Sequence, residues 1–250
     1  MNGARQTYEY FLLFVKTAFT SKVQVFFILG FPLLYMIAAN MHWFSEPPAE
    51  AAFTGLLVMF VTVQVFITGM QTVMNLVTAR EGGFFKMFTF IAGRRGPVVF
   101  GQILAGYVFL LANTIVLAAV TGLMFGHFSF AVVLHASAVA ALTMIPATLA
   151  LSWILLLKLQ QQSFGAVMSI SIFAVLFITF NQVVTGALSI PFAFVNPAYF
   201  TYQIAMHVPG VEAGTPEVSI WILLTIGTVY LAGGAALLRR VPLTSSILRT

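Results

Sequence analysis

Long apolar runs broken by short polar or proline-bearing stretches set the reading of this chain. Six runs, at residues 23–41, 53–77, 98–125, 130–157, 164–188 and 218–238, each approach or exceed the roughly 20 residues that a helix needs to cross a bilayer. They predict six transmembrane helices. Ahead of them, residues 1–22 place Tyr8, Phe11, Leu12, Val15 and Phe19 at three- and four-residue steps among Arg5, Lys16 and Lys22. That spacing predicts an amphipathic helix lying in the membrane interface. Between spans two and three, residues 79–97 form a basic island, Arg80, Lys86, Arg94 and Arg95 against Glu81, threaded with Phe84, Phe85, Phe88 and Phe90. It is expected to be a short docking helix along the membrane surface. Residues 189–206 contain Pro191 and Pro197, which forbid one continuous helix. Their apolar runs are too short to cross, so a broken, re-entrant pair of helices is expected.

Composition agrees with this pattern. The chain of 250 residues is 60% hydrophobic and 7% charged, with mean hydropathy +1.02, whereas charged residues make up about a quarter of a soluble domain. An all-α integral membrane protein forming a single transmembrane domain is the consequence. Cysteine is absent, which removes disulfides, thiolate metal sites and a cysteine nucleophile. The net charge of +5 does not point to nucleic acid, because its placement follows the membrane. With six crossings all 11 Lys and Arg fall on one side, and four of the six Glu fall on the other. The positive-inside rule makes the basic side cytoplasmic and puts both termini there.

Candidate chemistry is sparse. The expected spans hold no Asp, Glu, Lys or Arg, so coupling to a proton or sodium gradient is disfavoured. No phosphate-binding loop of the G-x-x-x-x-G-K-[ST] type occurs, and energy for active transport must enter from another chain. An enzyme is excluded on inventory: no carboxylate cluster, metal site or activated nucleophile is evident, and no catalytic or metal-binding residue is assigned. What the spans do hold is neutral and polar. Gln64, Thr68, Gln71 and Asn75 recur at steps of four, three and four, one stripe of a helix. Gln182 and Thr185 with Ser189 form a weaker one in span five. Because unpaired amides in hydrocarbon are costly, about 4–8 kcal/mol on a cyclohexane scale, these stripes face protein or water. Two readings stand: a translocation path, or interhelical hydrogen bonding.

With these parts in this order the chain resembles a type-2 ABC exporter permease, the membrane subunit class of drug, bacteriocin, teichoic acid and polysaccharide exporters. The match rests on the amphipathic segment before span one, on Arg80-Glu81-Gly82-Gly83-Phe84-Phe85-Lys86 after span two, and on Ile190-Pro191 with Val195-Asn196-Pro197-Ala198-Tyr199 between spans five and six. The resemblance implies a dimer of permeases, identical or related, in a bacterial cell membrane. Each would rest a coupling helix on a separate cytoplasmic ABC ATPase that binds ATP and Mg, while this chain binds no cofactor. Arg80, Glu81, Phe85 and Lys86 are then the candidates for passing motion to the spans. Gln64, Thr68, Gln71, Asn75, Gln182 and Thr185 would line the path or the dimer interface, and Pro191, Asn196 and Pro197 would form the re-entrant motif. The cargo implied is an amphipathic compound, peptide or lipid-linked molecule moved outward. A gradient-driven transporter or channel, and a non-transporting membrane scaffold or immunity subunit, remain as alternatives. Contact with anionic lipid is also expected of the basic island.

Overall fold

A computed structural model describes residues 3–20, 26, 30–157, 170–171, 173–175, 177–179, 186–209 and 215–241. Every element among them is helical: α1 (Gly3–Thr20), α2 (Phe31–Ala39), α3 (Glu50–Glu81), α4 (Phe84–Ala92), α5 (Gly96–Met124), α6 (Phe130–Ala150), α7 (Ser189–Val195), α8 (Pro197–His207) and α9 (Ile220–Arg240). Short 3-10 turns occupy Met41–Phe44, Leu151–Leu156 and Gly186–Leu188. Four helices, α3, α5, α6 with its 3-10 extension, and α9, are long and apolar enough to cross a membrane. Of expected span one, residues 26 and 30–41 are described, and the helix they hold, α2, is nine residues long; expected span five lies largely outside the described residues.

Local chemistry explains the boundaries. Pro97 sits in the first turn of α5, where its missing N–H loses nothing. The Ser129 side chain accepts from Val132 N at 3.1 Å and starts α6, as an N-cap does. Gly126, at φ +76°, turns the chain between α5 and α6 in a conformation that glycine adopts without strain. Helix α3 outruns the expected 53–77 at both ends, taking in Glu50, Arg80 and Glu81. Its last turn therefore carries charge that an apolar-run boundary leaves outside.

α3 and α6 run in one direction and α5 in the other, with α6 at the centre of the bundle, packed against α3, α5, α8 and α9. Lipid tails are as apolar as leucine, so helices associate in a bilayer by close packing over small residues. Gly234 of α9 lies so near α6 that an added Cβ would stand 2.5 Å from Leu149 Cβ. Gly101 of α5 meets α1 in the same way, at 2.7 Å from Tyr10 Cβ. Helix α1 thus rests on α5 through Tyr10, while Tyr8, Phe11, Leu12 and Val15 of its expected apolar stripe stay partly or fully exposed.

The two ends of the bundle differ in charge. Arg80, Lys86, Arg94, Arg95, Arg239 and Arg240 gather at one. The other holds the 42–50 and 126–129 loops, joined by His127 Nε2, which lies 2.8 Å from the Pro48 carbonyl oxygen.

Candidate functional site

Two places bring the candidate residues together, and both are near the cation-rich end. The first is α4. It is bracketed by Gly83 and Gly93, both left-handed at φ +76° and +72°, which stop the helices on either side. Phe85 is 2% exposed and sits in a core cluster with Val98, Val99 and Leu155. The opposite face carries Phe84, Lys86, Met87, Phe90 and Ile91, all exposed, Phe90 to 88%. Helix α1 holds α4 by its carbonyls: Tyr10 Oη donates to Phe88 O at 2.9 Å and Gln6 Nε2 to Ala92 O at 3.0 Å. Burial pushes the Tyr10 phenol above its ordinary value, reinforcing a donor already protonated at neutral pH.

Arg80 departs from the expectation of a surface cation. It is 1% exposed. Its Nε donates to Glu81 Oε1 at 2.8 Å, its Nη1 to the Leu155 carbonyl, and its Nη2 to the Leu157 carbonyl at 3.4 Å. The guanidinium therefore satisfies carbonyls that the end of the α6 segment leaves free. Arg95 does the same for α9, its Nη1 donating to Arg239 O at 3.1 Å and Val241 O at 2.7 Å. Of the four predicted coupling residues, Arg80 and Phe85 face inward, Glu81 is half-buried against Arg80, and Lys86 faces out.

The second place is a cavity of about 370 Å³ between α1, α3, α4 and α5. Thr68, Gln71, Thr72, Asn75, Thr78 and Gln102 form its polar side, and Leu13, Phe14, Phe84, Phe88 and Phe109 its apolar side. Three of the four predicted stripe residues therefore share one wall. Gln64, one turn further along, does not reach it. Its carboxamide is buried, Oε1 accepts from Thr114 Oγ1 of α5 at 3.3 Å, and Nε2 has no partner among the described residues. The stripe divides: its far end joins helices, and its near end lines open space.

Gln102 was not singled out from the sequence. A lone amide in an apolar run has no period to mark it, and only its one-turn offset from Gly106, where α5 approaches Thr72 closely, distinguishes it. Gln182 and Thr185 lie outside the described residues.

At the opposite end, the proline-bearing pair forms as two helices that meet at Asn196. Pro191 falls within α7 and Pro197 opens α8. Asn196 Oδ1 accepts from Ala198 N at 2.9 Å and Tyr199 N at 3.2 Å, and its Nδ2 donates to Thr179 Oγ1 at 3.0 Å. Glu217 accepts from Ser189 Oγ at 2.5 Å and from Tyr199 Oη at 3.0 Å. Gln203 Oε1 in turn accepts from the Glu217 and Val218 amides.

Comparison of the chain with family models, with curated proteins and with solved structures finds no match.

Proposed function

We propose that this chain is the membrane-spanning permease subunit of an ATP-driven exporter, of the type-2 ABC class it resembles, working with a separate cytoplasmic ATPase. One observation carries the reading: α4 is flanked by Arg80 and Arg95, and each of these holds the end of a different long helix. A push on α4 is thereby delivered to α6 and α9 together. The exposed face of α4, with Lys86 among Phe84, Met87, Phe90 and Ile91, offers a mixed cationic and apolar surface to such a partner. In this role Lys86, Phe90 and Ile91 touch the ATPase, whereas Arg80, Glu81 and Phe85 transmit the motion.

Six crossings fit the described ends of the chain. The chain is at the cation-rich end at Gln6 and Tyr10, bonded to α4. It is at the opposite end at Trp43, packed on Phe125 at 5.2 Å. It is again at the cation-rich end at Leu157, beside Arg80, and at the opposite end at Ser189, beside Glu217. Placing the expected spans one and five in these two intervals would bring the four long helices to six crossings. Positive-inside siding makes the cation-rich end cytoplasmic.

The test is purification of the chain from its native membranes. A nucleotide-hydrolysing subunit is expected to accompany it, and Lys86→Glu with Phe90→Ser is expected to break the association while the chain still inserts and folds. A doubly substituted chain that keeps its ATPase, or hydrolysis indifferent to α4, refutes the role.

A further inference from the structure

The cavity against α4 carries a conclusion about what it binds, and this deepens the export reading, on which it relies only for the partner that α4 meets. Gln102 is 8% exposed and lines the cavity together with Gln71, which is half-buried, and Asn75, which is exposed at its open side; no side-chain hydrogen bond ties any of the three among the described residues. Buried amides are almost always paired. The buried Gln102 carboxamide therefore calls for a partner with both a donor and an acceptor, and Gln71 and Asn75 on the same wall offer further ones to whatever enters. No Lys, Arg, His, Asp or Glu lines that space among the described residues, so a charged head would enter without a counter-charge and lose its hydration. Facing the amides are Phe14, Phe84 and Phe88, the last in edge contact with Phe14 at 6.3 Å. The volume, about 370 Å³, lies in the lower part of the roughly 300–1,000 Å³ range of small-molecule sites.

We infer that this cavity binds an uncharged amphipath, its amide- or hydroxyl-bearing head against Gln71, Asn75 and Gln102 and its apolar body against Phe14, Phe84 and Phe88. Phe84 and Phe88 belong to α4. The bound molecule therefore touches the docking helix itself, and occupancy shifts the element that meets the ATPase.

The experiment uses the full chain in lipid nanodiscs and three ten-carbon probes that differ in head charge at neutral pH: decanamide, decanoate and decylamine. Saturable binding of tritiated decanamide above that of empty nanodiscs is expected, with the two charged probes competing at least about tenfold less well, as the loss of one or two hydrogen bonds and an unpaired charge implies. Gln71→Leu with Gln102→Leu is expected to weaken decanamide binding about tenfold by the same reckoning. Asn75→Asp adds a carboxylate at nearly constant shape and is expected to reverse the order, so that decylamine competes best, a gain that misfolding cannot produce. Equal competition by all three probes marks an unselective slot for any acyl chain and overturns the inference. So does the absence of saturable binding, or an unchanged preference in Asn75→Asp. Because binding is read on the chain alone, failure to find an ATPase leaves this site standing. An ATPase-bound chain that ignores decanamide removes the site and spares the export reading.

Discussion

The two ends of the bundle are closed by opposite means. At the cation-rich end, long guanidinium side chains reach free helix carbonyls: Arg80 to Leu155 and Leu157, Arg95 to Arg239 and Val241. At the far end, backbone amides converge on the Asn196 and Gln203 carboxamide oxygens, and the Ser189 and Tyr199 hydroxyls on the Glu217 carboxylate. A guanidinium offers five donors on a flexible stem, so one residue can join helices far apart in sequence. An amide or hydroxyl has short reach and orders its own neighbourhood. The first arrangement suits an end that must pass force between helices, and the second suits an end that must hold a broken segment in shape.

This contrast can be broken by substitution, and the largest effect is expected at Arg80. Arg80→Leu strands two carbonyls and takes the guanidinium away from Glu81, and losing one partner of a buried charged contact costs about 3–5 kcal/mol. Thermal unfolding of the purified chain should show it, and a loss under about 1 kcal/mol would mean that the guanidinium does not hold the α6 end. Next comes Asn196→Ala, which removes the cap of α8 and the bond to Thr179, for about 1–2 kcal/mol by the same measurement. Tyr230→Phe follows, at about 1 kcal/mol. Its hydroxyl donates to the Ala193 and Phe194 carbonyls at 2.8 and 3.0 Å, tying α9 to the end of α7. The smallest effect belongs to Gln64→Leu. Its Nε2 has no partner among the described residues and its single bond is long, so stability within about 0.5 kcal/mol of the parent is expected, the relief of one buried unpaired donor offsetting the loss of the bond to Thr114. A large loss there would show that the far end of the stripe supports the bundle more than its bonding indicates.

Much of this was legible in the amino acids, for identifiable reasons. An apolar run maps directly onto a long helix, so residues 98–125 predict a span and α5 occupies Gly96–Met124. Pro191 and Pro197 marked a broken segment, although only the structure locates the joint at Asn196. A period of three and four put Gln71 and Asn75 on one face. It could not say what stands opposite that face, which is why Gln64 pairs with Thr114 whereas Gln71 faces open space. Arg80 was the instructive miss. Its neighbour Glu81 accounts for it locally as an ordinary ion pair, yet its other partners lie more than 70 residues on, and no local pattern encodes that distance. Gln102 stayed hidden because a solitary amide has no rhythm.

The pair of left-handed glycines around α4 has a mechanical corollary. Only Gly82 and Gly83 separate α4 from the end of α3, a stretch that spans roughly 7 Å at full extension. With so little slack the short helix can rock but not wander, and in the export role proposed above its tilt, not its travel, would be the signal.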